Sequence, residues 1–194
     1  MPARFPLPLA PMLFALLCAM AVPPAAGAQE NTKQQHPSSY IAGLFRSANF
    51  DRLAAEGRRD EIKWNVRTLV HGLSIQQRMV AHIEIDIPGS ELVKRSGDGQ
   101  LIALAQVEDS AGHRYRDFGF IDLKPVKSRL KNQTWESTWE AFALPGRYKV
   151  SLLLYDPRSG EHSFIRTRLH VPAVKHDPFS AIWQGVPAWE FWAP

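Results

Sequence analysis

The stretch Val80-Ala81-His82-Ile83-Glu84-Ile85-Asp86-Ile87-Pro88-Gly89 decides the fold class of this chain. From residue 81 to residue 87, apolar side chains alternate strictly with polar or charged ones. This period of two is typical of a β-strand that has one buried side and one side facing solvent. The Pro88-Gly89 pair then ends the strand and indicates that the chain turns there.

Further segments between residues 61 and 171 have the composition of strands. They cover residues 62–68, 101–109, 114–123, 133–144, 148–155 and 164–171. Turn-forming stretches separate them, among them His71-Gly72-Leu73-Ser74, Ser96-Gly97-Asp98-Gly99 and Asp156-Pro157-Arg158-Ser159-Gly160. About seven strands without a helix-length apolar pattern between them predict an all-β fold, an antiparallel β-sandwich, rather than parallel βαβ units.

The N-terminal residues have the pattern of a signal peptide. Arg4 is the only charged side chain before Glu30, an apolar run covers residues 12–22, and Ala26-Gly27-Ala28 offers small residues for cleavage. The run is shorter than the roughly 20 apolar residues that cross a bilayer. We therefore predict a signal peptide at residues 1–28 and an exported protein, periplasmic or extracellular, whose mature chain has no membrane span. Cys18, the only cysteine, leaves with the signal peptide, so the mature domain is free of disulfides.

The rest of the chain divides into three predicted regions. Residues 29–60 form a flexible leader and a short packed segment, in which Ile41, Leu44, Phe45 and Ala48 have helical spacing. A short helix and an irregular packed segment both fit that spacing. Residues 61–172 form the β-sandwich, and the Pro/Trp-rich tail at residues 173–194 packs on it, because such an aromatic composition is not that of a solvated linker.

A local resemblance supports the sandwich prediction. The segment Leu144-Pro145-Gly146-Arg147-Tyr148-Lys149-Val150-Ser151-Leu152 leads into a strand, a glycine-containing hairpin and a last strand that ends at Val171-Pro172. It resembles the last hairpin of immunoglobulin-like or fibronectin-like β-sandwich modules of uncharacterised bacterial secreted proteins, and the resemblance covers residues 144–190. This resemblance implies an immunoglobulin-like fold and an assembly role, and it carries no catalytic residue across.

One strand carries candidate metal ligands. His82, Glu84 and Asp86 alternate along it and therefore point to the same face. Imidazole and carboxylate groups in such a row can hold a metal ion. Alternation alone, however, also predicts these residues as the ordinary solvent face of an amphipathic strand. We favour that second interpretation and predict neither a metal nor a cofactor.

Tryptophans are the candidate binding residues. They are Trp135, Trp139, Trp183, Trp189 and Trp192. Trp135 and Trp139 are four residues apart, so on a regular strand they share a face, where indole rings can stack on sugars or anchor a protein partner. The alternative is that these rings fill the core or fasten the tail, which is the usual fate of tryptophan in a sandwich without disulfides.

The sequence contains no catalytic motif, such as Gly-x-Ser-x-Gly or His-Glu-x-x-His, and no phosphate loop. Its 23 basic and 19 acidic residues are interspersed, so the net charge of +4 does not indicate nucleic acid binding. We predict a non-enzymatic protein-interaction or envelope-assembly module whose partner is another envelope or secreted protein. The alternatives are a carbohydrate-binding module with exposed tryptophans and an enzyme whose site is assembled from scattered residues.

Structural features distinguish these alternatives. A row of exposed aromatic rings on one face favours sugar binding, and converging histidines and carboxylates in a pocket favour an enzyme. A long unpaired strand edge, or an exposed patch around Trp189 and Trp192, favours a protein partner.

Overall fold

The computed structural model describes residues 38–57, 59–175, 183 and 185–192. The predicted signal peptide at residues 1–28 lies outside these residues, as does the first part of the predicted leader, so both stay predictions. No helix within the described ranges is long and apolar enough to cross a membrane.

Short helices and longer strands make up the described chain. The helices are α1 (Ser38–Ser47), α2 (Phe50–Glu56) and α3 (Gly89–Lys94), with a 3₁₀ helix at Ser128–Asn132. The strands are β1 (Arg59–Asp60), β2 (Asn65–Leu73), β3 (Met79–Pro88), β4 (Gln100–Glu108), β5 (Arg114–Asp122), β6 (Thr134–Ala143), β7 (Gly146–Tyr155), β8 (His162–Val171) and β9 (Trp189–Trp192).

The strands form two antiparallel sheets. One sheet has four strands in the order β2-β3-β6-β9, and the other has five in the order β1-β8-β7-β4-β5. The predicted all-β, antiparallel sandwich is thus confirmed as a fold class. Two of the described strands, β1 and β9, were not predicted. Strand β1 has only two residues, and β9 lies in the Pro/Trp-rich tail, where no alternation is long enough to indicate a strand.

The main core lies between the two sheets. On β3, Ile83, Ile85 and Ile87 are at most 1% exposed, whereas every second residue between them is half-buried. They pack in one cluster with apolar residues of the opposite sheet, among them Val150 and Leu152 of β7. The alternation in the sequence therefore predicted which side of β3 faces the core.

A second core lies on the other face of the five-stranded sheet. Residues 38–56, whose sequence fitted either a short helix or an irregular segment, form α1 and α2. These helices place Phe45 and Phe50 against Leu104 and Phe164. Covering both faces buries every residue of β4 from 101 to 107. Strands covered on both faces have continuous apolar runs instead of alternation, and residues 101–105 are such a run.

The predicted turn at residues 71–74 is wrong. Strand β2 continues to Leu73, and the chain turns between Ser74 and Arg78, whose backbones are joined by a 2.7 Å hydrogen bond from Ser74 N–H to Arg78 C=O. Gly72, the residue that indicated a turn, instead has a φ of +129° beside a break in the β2–β3 register. Glycine serves both turns and β-bulges, so its presence did not distinguish them.

Tyrosines fasten the tail to the sandwich through Ala188. The backbone N–H of Ala188 donates to Tyr115 Oη (3.2 Å), and its carbonyl accepts from Tyr148 Oη–H (2.9 Å) and from Leu144 N–H (2.9 Å). The next residue, Trp189, is 1% exposed and lies 5.2 Å from the Tyr148 ring, measured between ring centroids. The tail thereby contributes both a strand and a core side chain.

Trp189→Ala should lower the free energy of unfolding by about 3–5 kcal/mol, the range for emptying a large aromatic site in a core. Trp192→Ala is the matched control on the same strand. Because the Trp192 side chain is 47% exposed, its loss should cost about 1 kcal/mol or less. Urea denaturation of both variants measures the difference, and equal destabilisation would contradict the placement of the tail.

Stability should also fall at alkaline pH through Tyr148. Burial, followed by the nearby Tyr115 and Asp109 groups, raises the pKa of Tyr148 from 10.0 to about 12. A raised tyrosine pKa means that the folded state favours the neutral phenol. The stabilisation is therefore complete below pH 10 and is lost between about pH 10 and 12. Unfolding curves across this window should show a shallower decline for Tyr148→Phe than for the unmodified protein, and identical declines would refute the role of this phenol.

Candidate functional site

The outer face of the four-stranded sheet carries the polar residues of β3. Since its isoleucines face the core, His82, Glu84 and Asp86 lie on the opposite side, each half-buried. Their neighbours on β6 in the antiparallel register are also polar, and His82 lies opposite Glu140. This face therefore concentrates imidazole and carboxylate groups on a rigid sheet.

A β-bulge brings a further histidine to this face. The register of β2 on β3 shifts between Val70 and Gly72, and the extra residue is His71. Its ring centroid lies 4.0 Å from that of His82. Bulges re-aim side chains and are frequent next to functional sites.

His71, His82 and Glu84 form a compact cluster. One ligating atom from each lies within 4.8 Å of the corresponding atoms of the other two. Glu140 adds a second carboxylate, because its Oε1 lies 3.7 Å from His82 Nε2. His71 is exposed, whereas His82 and Glu84 are half-buried. We call these three residues the His-Glu cluster.

Asp86, the third candidate on the strand, is not part of the His-Glu cluster. It pairs with Arg67 of β2, whose Nη2 lies 3.5 Å from Asp86 Oδ2. The same Nη2 lies 3.1 Å from Glu84 Oε2. One guanidinium is therefore shared between a carboxylate that belongs to the cluster and one that does not.

The structure separates the candidate tryptophans. Trp139 and Trp189 are 5% and 1% exposed and belong to the main core, and Trp135 packs against it. Trp183 is half-buried, and Trp192 is exposed. The expectation that Trp135 and Trp139 share a strand face holds, but that face is the core side. A buried indole presents no surface to a sugar ring or a partner.

Strand β2 is an edge of the four-stranded sheet. It pairs with β3 on one side, and on its other side it has no strand partner among residues 38–57, 59–175, 183 and 185–192. Leu69 and Leu73 on this strand are 40% and 46% exposed, and Ile75 in the following turn is 94% exposed. Apolar side chains thus accompany an unpaired backbone edge.

A cavity of about 340 Å³ opens beside the start of β2. It is lined by Gly57, residues 64–66 and residues 164–166 of β8. Trp64 is one of the lining residues, and its indole N–H is buried without an acceptor in the part of the chain that the structure describes. Such a buried donor costs about 1–3 kcal/mol.

The comparisons with known proteins are sparse. No protein-family model and no curated protein matches this chain. Among solved structures, the chain is similar to the X-ray structure of Northeast Structural Genomics Consortium target SoR45. The two share 17% identity with a TM-score of 0.36, over 60% of this chain and 92% of the other. A likeness at this level carries no argument about function.

His71 was not among the predicted site residues, because the stretch 71–74 has the composition of a turn. A weak signal was present in the sequence. The odd-numbered residues from Asn65 to Leu73 are exposed, and the even-numbered ones are half-buried. His71 follows this alternation as an exposed residue. Extending the period of two through Gly72 would have placed His71 on the face of the neighbouring strand's polar residues.

Proposed function

We propose that this protein is an exported, non-enzymatic sandwich of the immunoglobulin-like or fibronectin-like type that binds another envelope or secreted protein. The partner adds an extended segment to the free edge of β2. The N-terminal signal pattern supports a periplasmic or extracellular location. The unpaired β2 edge, accompanied by exposed leucines, is the observation that carries the proposal.

Strand order and one tyrosine support the immunoglobulin-like assignment. Among the seven strands from β2 to β8, β2, β3 and β6 share one sheet, and β4, β5, β7 and β8 share the other. Immunoglobulin constant domains separate their first, second and fifth strands from their third, sixth and seventh in the same way. Their fourth strand lies in the sheet of the first, whereas β5 pairs with β4. The Tyr148 hydroxyl, near the start of β7, shares its one proton between the Leu144 carbonyl (2.6 Å) and the Ala188 carbonyl (2.9 Å). This matches the tyrosine corner found at that point in such sandwiches.

The β2 edge has the properties of a docking site for a strand. An unpaired edge presents N–H and C=O groups that an extended segment can join, and its side chains then give specificity. Residues 65–70 keep a regular register with β3, so they offer a straight template up to the bulge. Leu69 and Leu73 supply apolar contacts for the added segment, and we therefore expect a partner segment with apolar side chains.

The neighbouring free edge is less suitable. Within the described ranges, strand β8 pairs with β1 only at residues 163 and 164, so residues 165–171 form an edge as well. That edge carries Arg166, Arg168 and His170, all exposed. Charged side chains along an edge oppose the addition of another strand. The contrast favours β2 as the edge that accepts a partner.

The carbohydrate alternative has less support. Stacking on sugar rings needs several exposed aromatic rings on one face, yet Trp139 and Trp189 lie in the core and Trp135 packs against it.

Truncation of the tail is unsuitable as a test of partner binding. It would remove Trp189 from the core, so a loss of binding would report on folding instead.

The experiment uses site-specific cross-linking followed by affinity measurement. A photoreactive amino acid replaces Leu73 in the chain expressed in its host, and the control carries it at Phe120. Phe120 is 40% exposed and lies on β5, an edge strand of the other sheet. A cross-linked protein obtained at residue 73 and not at residue 120 is identified by mass spectrometry and purified.

Leu69→Lys should weaken binding to that protein by about tenfold or more, since a lysine on an edge opposes strand pairing. Phe120→Lys, with the same exposure, should leave the affinity unchanged. Calorimetric titration measures both. Equal affinities for the two variants, or the same cross-links at both positions, would exclude the β2 edge as the docking site. Cross-linking of two copies of this chain would identify the partner as a second copy.

A further inference from the structure

We infer that His71, His82 and Glu84 form a binding site for a divalent transition-metal ion, zinc or copper, on the outer face of the four-stranded sheet. This site uses other side chains and another ligand than the proposed docking edge, and it adjoins that edge where Leu69 lies opposite His82. It differs from the solvent face predicted for His82, Glu84 and Asp86 because a histidine from the neighbouring strand completes it.

The positions of the ligating groups support the inference. Their atoms lie within 4.8 Å of one another, whereas ligands at about 2.0–2.1 Å from a tetrahedral zinc ion are about 3.3 Å apart. Small rotations about the side-chain torsions close this difference, because the backbones of β2 and β3 are already held side by side. The site thus needs side-chain adjustment and no movement of the sheet.

The donor set indicates the class of metal. Two imidazole nitrogens and one carboxylate oxygen are typical ligands of zinc and copper, and they leave one position open to water or another ligand. Calcium and magnesium prefer sites built entirely from oxygen. The His-Glu cluster should therefore discriminate strongly between these two groups of cations.

The charges around the cluster also favour a cation. Glu84, Glu140 and Asp86 face this surface beside the Arg67 guanidinium. The guanidinium of Arg78, which lies over the Phe142 ring, has its own carboxylate partner in Glu190. When Glu84 turns towards a metal, Arg67 keeps Asp86 as its partner. Arg67 therefore still has a counter-charge after Glu84 has turned to the metal, and this lowers the free-energy cost of breaking the Arg67–Glu84 ion pair.

The test is calorimetric titration of the exported chain, purified without a polyhistidine tag, with zinc chloride and with copper chloride. We expect one equivalent of metal to bind. His71→Ala and His82→Ala should each weaken binding at least about tenfold, since even groups around metal ligands contribute this much. Titration with calcium chloride should give no comparable binding.

A matched control separates this site from other surface groups. His113→Ala removes an exposed histidine that also has a carboxylate neighbour, Asp109 at 3.0 Å, and it should keep the affinity of the unmodified protein. Asp86→Asn removes the carboxylate that holds Arg67 when Glu84 turns towards the metal, so it should weaken binding, but less than His82→Ala. Far-UV circular dichroism without metal verifies that each variant is folded.

The absorption spectrum of bound cobalt gives a second measurement, because its visible bands depend on the ligands. The bands should change in His82→Ala and persist in His113→Ala. Unchanged affinity and spectrum in both His71→Ala and His82→Ala would overturn the inference, as would loss of binding in His113→Ala. All of these measurements use the isolated protein, so their failure leaves the docking proposal at β2 unaffected.

Discussion

Strand β4 is buried on both of its faces, and the layered arrangement of the molecule follows from this constraint. Successive side chains of a strand point to opposite faces, so the buried run from residue 101 to residue 107 requires cover on each side. The four-stranded sheet provides it on one side, and α1 and α2 provide it on the other. Gln106, the polar residue in the run, accepts a 2.8 Å hydrogen bond from Arg116 Nε, which satisfies its buried amide oxygen.

This arrangement leaves different surfaces for the two sheets. The five-stranded sheet is covered by helices over the part that holds Leu104 and Phe164. The four-stranded sheet has no such layer in the described ranges, and its outer face bears the His-Glu cluster. The isoleucines fix the core side of β3, and the polar residues of its outer side take no part in the main core. A rigid strand is also a better support for metal ligands than a loop.

Strand β2 connects the two proposals. Its backbone edge and its leucines belong to the docking site, whereas its bulged residue His71 belongs to the His-Glu cluster. The bulge interrupts the regular register at Val70, so it marks the end of the template that an added strand can follow. A partner strand can therefore form regular backbone hydrogen bonds along residues 65–70 and loses this register beyond them.

The sequence by itself determined the β class, the orientation of β3 and the shared face of Trp135 and Trp139, because a period of two is a local property of a strand. That this shared face is the core side was decided by the tertiary structure. The sequence also contained, in the continuous apolar run at 101–105, a sign of two-sided burial that the alternation rule does not detect. Only the tertiary structure decided that His71, rather than Asp86, joins His82 and Glu84. It likewise decided that Trp189 is buried while Trp192 is exposed. Both outcomes depend on which strands pair and in which register, and pairing joins residues as distant as Ala143 and Trp189, beyond the reach of any local pattern.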